Sequence, residues 1–285
     1  MEKQTMYEIH PKEGLYFSIK LVVSLLIYAL IIYFLMEGIT EENAKYVSVF
    51  VFYALIIAIV LVFRLGILIG NLKGNAIKIS TDQFPDIYEI ALEQSAKLGL
   101  KKTPDIYLLQ AGGLLNAFAT RFSGRNYVVI YSDILEEAYE NNKTSVEFII
   151  GHELGHIKRK HMSKQLWLFP SIIIPFLNSA YSRACEYSCD SIGAGLCPMG
   201  VRNGLVLLAA GKKLYGKVNI DKFIVQKETE TGFWSWFAEK TSSHPKLCKR
   251  IAIYQRKEFI AEQKTNKIPI SNYETEDHKK YMPGF

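Results

Sequence analysis

Two long apolar stretches near the start of the chain most restrict how it can fold. Residues 21–36 contain no charge, and residues 46–70 are interrupted only by Arg64. Each stretch approaches the ~20 residues that a helix needs to cross a bilayer, and Lys20 can extend along the lipid toward the headgroups. The sequence therefore predicts two transmembrane helices, at about 15–37 and 46–70. A cleaved signal peptide is the alternative, but no small-residue cleavage pattern follows the first stretch.

The basic residues near this predicted hairpin lie mainly outside it, before the first span and after the second. They are Lys3, Lys12, Lys20, Lys73 and Lys78. Because positive charge is retained on the cytoplasmic side, we expect a multi-pass protein of the plasma membrane with a cytoplasmic N-terminus and catalytic domain. The net charge of +6 fits a domain held against an anionic lipid bilayer. We see no basic and aromatic array of the kind that binds nucleic acid.

The chain divides by composition into three parts. Residues 1–75 form the predicted membrane anchor, residues 76–256 one globular domain, and residues 257–285 a polar tail. In the domain, helical spacing predicts a helix from Phe84 to Leu100, and the runs IYLLQ, NAFATRF and NYVVIY predict strands. The Gly-containing turns between these runs favour a small antiparallel sheet, with the middle run at its edge. The expected fold class is α+β.

Two further helices are predicted after the strands. SDILEEAYENN is interpreted as a helix capped by Ser132, and a second helix begins near Thr144 and contains GHELGH. On that second helix His152 and His156 are four positions apart, so both imidazoles can reach one metal ion. Glu153 is placed to take a proton from water at that metal, as the general base of a metalloprotease.

A catalytic zinc site needs a third protein ligand, and Glu186 in SRACEYSCD is the candidate. It completes a site with two histidines and one carboxylate that leaves a fourth position open. Asp190, on the same helix face, can accept the other ring N–H of a ligating histidine. The alternative is a closed structural zinc site made by four residues, which are His152, His156, Cys185 and Cys189.

Four segments, NAFAT, GHELGH, SRACEYSCD and SHPKLCKRI, resemble in order the HtpX-type membrane metalloproteases, whose family also contains the CAAX prenyl-protein endopeptidases. The resemblance implies a zincin domain of the gluzincin type that holds one Zn²⁺ per chain. It implies that His152, His156 and Glu186 bind this zinc.

The resemblance also implies roles that spacing cannot assign. Asn116 would contact the substrate backbone or polarise the scissile carbonyl, and His244 would stabilise the oxyanion. Arg183, just before the ligand helix's glutamate, would form a structural salt bridge. The residues expected to bind substrate as an extended strand are Asn116, Ala117, Phe118, Ala119 and Thr120.

The apolar segment 166–181 lies between the expected zinc ligands. A single complete span would put Glu186 across the membrane from His152. The segment must therefore dip into the membrane and return, lie on the surface or pack as core. We expect membrane contact.

The function expected from these features is zinc-dependent endoproteolysis of misfolded membrane or membrane-associated polypeptides at the cytoplasmic face. The main alternative is a membrane scaffold with structural zinc. Intramembrane proteolysis is disfavoured because the motif helix is polar and is followed by Lys158, Arg159 and Lys160.

Overall fold

The computed structural model describes residues 7–37, 43–112, 116–141 and 143–255. The predicted polar tail lies outside the described residues. The helices are α1 (Pro11–Glu37), α2 (Ala44–Asn75), α3 (Pro85–Lys97), α4 (Ser132–Glu140), α5 (Thr144–Lys158), α6 (His161–Trp167), α7 (Leu177–Leu196), α8 (Val201–Ala210), α9 (Ile220–Thr229) and α10 (Phe233–Thr241). The strands are β1 (Ile77–Ile79), β2 (Asp105–Leu109), β3 (Ala117–Phe122) and β4 (Arg125–Tyr131). Residues 247–255 are also helical.

Helices α1 and α2 are long and apolar enough to cross a membrane. Their 27 and 32 residues correspond to lengths of ~40 and ~48 Å. Most apolar side chains of α2 are exposed on the protein surface, whereas one side of α1 packs against α7. The prediction that Lys20 reaches along lipid is wrong: it is 1% exposed and its Nζ donates to Asn178 Oδ1 at 2.6 Å.

The four strands form one mixed sheet in the order β1-β2-β4-β3. The prediction of an antiparallel sheet is wrong, because β4 pairs with β2 in parallel and with β3 antiparallel. Residues 127–130 of β4 are buried on both faces, and a strand of that kind is most stable in the middle of a sheet. The half-buried β3 therefore takes the edge, as predicted. β1, which was not among the predicted strands, adds an antiparallel strand beside β2.

The sheet is covered on both faces. Val128 and Ile130 point into the main core with residues of α3, α4 and α5, whereas Tyr127 and Val129 pack on Ile69 and Leu72 of α2. The alternation along β4 is the period of two expected of a strand. The C-terminal end of α2 is thus part of the globular domain.

Helices α5 and α7 lie unusually close together. A Cβ at Gly193 would lie 2.9 Å from the Phe148 carbonyl oxygen, and one at Gly155 would lie 3.3 Å from Cys189 Cα. Glycine at these positions permits the approach, since any side chain would force the two helices apart. The approach brings Glu186 and Asp190 of α7 to the histidines of α5.

One local prediction and one alternative for the segment 166–181 need correction. Ser132 does not cap α4: it is the first helical residue, and its hydroxyl donates to Gln110 Oε1 at 2.5 Å. The apolar segment 166–181 is not one core helix, since it contains the end of α6, a 3-10 helix over Phe169–Ile173 and the start of α7. Pro170 and Pro175 explain the breaks, because proline lacks the N–H that a continuous helix needs. Several of the segment's apolar side chains are exposed: Leu166, Trp167, Phe169, Ile172, Ile173, Ile174 and Phe176.

Candidate active site

Helix α5 presents His152, Glu153 and His156 toward a cavity of about 420 Å³. His152 and Glu153 are each 7% exposed, and the Nε2 atoms of the two histidines are 3.2 Å apart. The helical period places the two rings one above the other on the same face. Both rings therefore turn the same nitrogen toward one point.

Glu186 of α7 meets this pair. Its Oε2 lies 3.5 Å from His152 Nε2 and its Oε1 lies 3.3 Å from His156 Nε2. Zinc ligands at ~2.0–2.1 Å in tetrahedral geometry are separated from each other by about 3.3–3.4 Å. The spacing and chemistry of these three donor groups therefore fit a zinc ion.

The surroundings of the three donor groups favour positive charge. Burial would lower the pKa of His152, but hydrogen bonds to Asp190 and Glu186 raise it to about 10. Burial would likewise raise the pKa of Glu186, yet His152 and His156 hold it well below its ordinary value. A pair of carboxylates that stabilises a proton on His152 also attracts a metal cation.

Asp190 and Arg250 lie behind His152. Asp190 Oδ1 is 2.9 Å from His152 Nδ1, and the carboxylate accepts two bonds from Arg250, Nε to Oδ2 at 2.7 Å and one terminal nitrogen to Oδ1 at 2.5 Å. Asp190 is fully buried and Arg250 is 5% exposed. Burial would raise the pKa of Asp190, but the Arg250 charge and the bond to His152 keep it below its ordinary value. An ionised carboxylate thus fixes the ring of His152 with its Nδ1 protonated.

A second buried chain of polar groups lies behind His156. Its Nδ1 is 3.0 Å from Nδ1 of His161, whose Nε2 is 3.2 Å from Glu13 Oε1. Glu13 also accepts from Arg159 Nε at 3.1 Å and from one of its terminal nitrogens at 2.8 Å. Burial and the neighbouring His156 lower the pKa of His161 to about 4. His161 is therefore neutral near pH 7.

Edge strand β3 forms one wall of the cavity. Asn116 directly precedes the strand, and its Oδ1 accepts from the Ala117 N–H at 2.9 Å. Residues 116–119 line the cavity, whereas Thr120, one position further on, does not. Because β4 pairs with one side of β3, the other side offers backbone groups to an extended peptide.

His244 reaches the same cavity from the loop after α10. Its side chain is 65% exposed, and its Nε2 lies 3.6 Å from Glu186 Oε1. Its Nδ1 is 3.0 Å from the Ser243 hydroxyl. The ring is thus held beside the donor groups with one nitrogen facing the cavity.

Arg183 does not line the cavity, and among the described residues it contacts backbone carbonyls instead of forming the predicted salt bridge. Its guanidinium donates to the carbonyl oxygens of Glu239, Lys240 and Ser242 at 2.7, 3.0 and 2.7 Å. Carbonyls at a helix C-terminus lack partners within the helix and carry partial negative charge. Arg183 thereby fixes the end of α10 and the start of the loop that carries His244.

The two cysteines of the alternative structural zinc site do not lie with His152 and His156 around one point. Cys189 Sγ is 3.7 Å from His161 Nδ1, and Cys185 groups with Glu13 and His161. Within the described ranges, no group of potential metal ligands combines both cysteines with His152 and His156. The geometry therefore favours the open site that includes Glu186.

Four residues that support the histidines from behind were not among the predicted site residues: Glu13, Arg159, His161 and Arg250. A third histidine five positions after His156 was a visible signal. Glu13 offered none, because it is 139 positions away from His152, and only the packing of α1 on α7 brings it to the site.

Residues 81–174 match the family model of peptidase family M48. That match contains the HExxH motif but ends before Glu186. Two relatives named "Protease HtpX homolog" are similar: one from Streptococcus mutans, 33% identical over 108 residues, and one from Streptococcus uberis, 34% identical over 85 residues. The alignments cover 37% and 30% of this chain, and 35% and 27% of the relatives' own lengths.

Among solved structures, that of Ste24p from S. mikatae resembles the chain with a TM-score of 0.44 and 14% sequence identity. The superposition covers 86% of this chain and 67% of that one.

Proposed function

We propose that this chain, which resembles the HtpX-like membrane metalloproteases of family M48, is a zinc-dependent endopeptidase that cleaves membrane or membrane-associated polypeptides. The observation that carries the proposal is the cluster of two histidine nitrogens and a carboxylate at 3.2–3.5 Å from one another, with Glu153 beside it in an open cavity. His152, His156 and Glu186 would hold one zinc ion per chain. When bound, zinc polarises a carbonyl and makes water acidic enough to react near neutral pH.

The chain's own residues would supply the rest of the reaction. Backbone groups of β3 bind the polypeptide as an added strand, which selects for extended chains more than for sequence. The Glu153 carboxylate takes the proton of the attacking water and later passes it to the leaving amine. The exposed nitrogen of His244 and the amide of Asn116 stabilise the negative charge that develops on the carbonyl oxygen.

Two apolar helices and the surface next to them support a membrane location. Trp167 lies beside α1, where its carbonyl accepts from the Tyr28 hydroxyl at 3.0 Å. The rings of Phe176 and Phe237 meet edge-on, with their centroids 6.0 Å apart. This contact joins the exposed residues of 166–181 to the exposed aromatic residues of α10. Aromatic side chains of this kind favour the headgroup region. We infer that this surface rests on the bilayer, with the N-terminus and catalytic domain on the cytoplasmic side of the plasma membrane.

We infer further that the substrates are misfolded polypeptides, in keeping with a quality-control role. An active site beside an exposed sheet edge accepts any unfolded segment that reaches it. Folded proteins present few such segments, so unfolded chains at the membrane surface are the natural substrates.

Cleavage of an unstructured model protein by the detergent-purified chain tests the proposal, with zinc content measured in parallel. We expect the wild type to hold one zinc and cleave, and Glu153→Gln to hold zinc while losing at least ~100-fold in rate, the lower range for a general base. Glu140→Gln, an exposed carboxylate on α4, serves as the matched control. Zinc binding with no cleavage by either the wild type or Glu153→Gln would instead favour the structural scaffold.

A further inference from the structure

His156, one of the proposed zinc ligands, is supported by residues from outside the motif. Its Nδ1 lies 3.0 Å from His161 Nδ1, and the two rings meet edge-on with centroids 5.1 Å apart. His161 is 2% exposed, and its Nε2 lies 3.2 Å from Glu13 Oε1. The chain of contacts therefore runs from the ligand, through a second imidazole, to a buried carboxylate of α1.

The direction of each hydrogen bond follows from the metal site. His156 turns Nε2 toward Glu186, so Nδ1 carries the ring proton when the Nε2 lone pair faces zinc. That N–H then donates to the unprotonated Nδ1 of His161. His161 consequently carries its own proton on Nε2 and donates it to Glu13. Every ring nitrogen in the series has a matching partner, and the tautomer of the ligand is fixed by its neighbours.

The Glu13 carboxylate is itself held in place. It is 1% exposed, and Arg159, the residue directly after α5, donates to its Oε1 at 2.8 and 3.1 Å. A buried carboxylate requires a charge partner of this kind. Arg159 thus connects Glu13 to the end of the motif helix.

Helix α1 is fixed against α7 on both sides of Glu13. On one side the His10 N–H donates to the Ser188 hydroxyl at 3.0 Å, and on the other Lys20 donates to Asn178. These contacts hold the first turns of α1, and Glu13 with them, beside His161 and Arg159. The position of an apolar helix is thereby linked to the orientation of a metal ligand.

From this arrangement, which rests on the proposed function, we propose that Glu13 and His161 are positioning residues that orient His156 for zinc. Helix α1 then does more than anchor the domain, because it supplies the last member of a relay Glu13–His161–His156. The metal centre is complete only when α1 is seated on α7.

A second metal ion is the rival explanation of the same residues. Glu13, His161 and Cys185 place three potential donor atoms within 4.8 Å of one another. The guanidinium of Arg159 already contacts the Glu13 carboxylate that would bind such an ion. A cation there would face the Arg159 charge at short range, which disfavours this explanation.

The test compares zinc affinity, by chelator competition, and the absorption spectrum of the cobalt-substituted full-length chain in detergent. Variants are Glu13→Gln, His161→Ala and His161→Asn, with Glu89→Gln, an exposed carboxylate on α3, as the control. Loss of an outer hydrogen-bond partner weakens metal binding roughly 10–100-fold. We expect about tenfold for Glu13→Gln and more for His161→Ala, each with a shifted cobalt spectrum, and no change for the control. His161→Asn, whose amide oxygen can still accept from His156, should recover part of the loss.

Wild-type zinc affinity and an unchanged cobalt spectrum in folded Glu13→Gln and His161→Asn would overturn the inference, even if His161→Ala fails to fold. Two zinc ions in the wild type, with one lost in Glu13→Gln, would also overturn it in favour of the second metal. Failure of the proposed function is distinguishable, since the wild type itself would then bind no zinc or Glu153→Gln would cleave normally.

Discussion

The two histidines of the candidate metal site are supported by two different groups of residues. The Asp190 arm reaches His152 directly and consists of His152, Asp190 and Arg250. The Glu13 arm reaches His156 through an extra imidazole and consists of His156, His161, Glu13 and Arg159. Each arm ends in an arginine bound to a carboxylate, but the first draws on α7 and residues 247–255, and the second on α1. One of the two proposed metal ligands is therefore contacted from within the globular domain and the other from an apolar helix.

The charged side chains of the two arms also differ in how deeply they are buried. The side chains of Arg250 and Asp190 are 6% and 0% exposed, whereas that of Arg159 is 31% exposed beside a Glu13 side chain at 2%. A fully buried charge pair is severely destabilised when one member is removed, and a half-exposed cation can turn to water instead. The Asp190 arm should accordingly carry more of the folding stability, and the Glu13 arm should act chiefly on the metal.

The largest effect expected is that of Asp190→Asn. Loss of its charge removes the closer of the two carboxylates beside the buried Arg250 and leaves only Glu186, whose Oε2 lies 3.5 Å from the guanidinium. The free energy of unfolding should fall by ~3 kcal/mol, the lower end for breaking a buried ion pair. Zinc affinity should fall by roughly 10–100-fold, because a neutral amide oxygen accepts from His152 Nδ1 more weakly than the charged carboxylate does. Thermal unfolding in detergent and chelator competition measure the two quantities, with the exposed Asp82→Asn as control. A stability loss no greater than that of Glu13→Gln would contradict the proposed difference between the arms.

A smaller effect is expected from Gly193→Ala. The new Cβ would meet the backbone of Phe148 at 2.9 Å, so α5 and α7 must separate. Overpacking of this kind costs ~1–3 kcal/mol of stability. Zinc affinity should fall as well, because the Asp190 arm joins α5 to α7 and is stretched when the helices separate. The contact between His156 and His161 is less affected, since both residues belong to one segment of the chain.

Gly216→Ala provides the control for this substitution, because nothing lies within 4 Å of its Cβ position. Equal unfolding temperatures for Gly193→Ala and Gly216→Ala would show that the close approach of the helices is not needed.

Much of this site followed from local sequence patterns. The period of α5 places His152 and His156 on one face, and the half-apolar run of residues 117–122 predicts an edge strand, as found. Patterns of this kind depend only on neighbours in the chain. They give each element its type, but not the order in which strands pair, so the parallel pairing of β2 with β4 was missed.

Besides the strand order, the contacts between residues far apart in the chain could not be predicted from the sequence. Glu13 precedes an apolar run, as a residue that flanks a membrane helix would. Arg250 has the sequence surroundings of an ordinary surface cation. Their burial becomes visible only after α1 and residues 247–255 pack beside α7. The sequence therefore predicted the groups proposed to bind the metal and missed those proposed to orient them.

The finest test of the two arms is a pair of double-mutant cycles on the free energy of zinc binding. Within the Glu13 arm, Glu13→Gln and His161→Asn interrupt the same series of hydrogen bonds, so the double variant should lose less than the sum of the single losses. Residues of one network typically couple by ~0.5–3 kcal/mol. Between the arms, Glu13→Gln and Asp190→Asn act on different ligands and should add to within ~0.5 kcal/mol. Strong coupling between arms, with none inside the Glu13 arm, would mean that α1 affects the site through the packing of α7 rather than through His161.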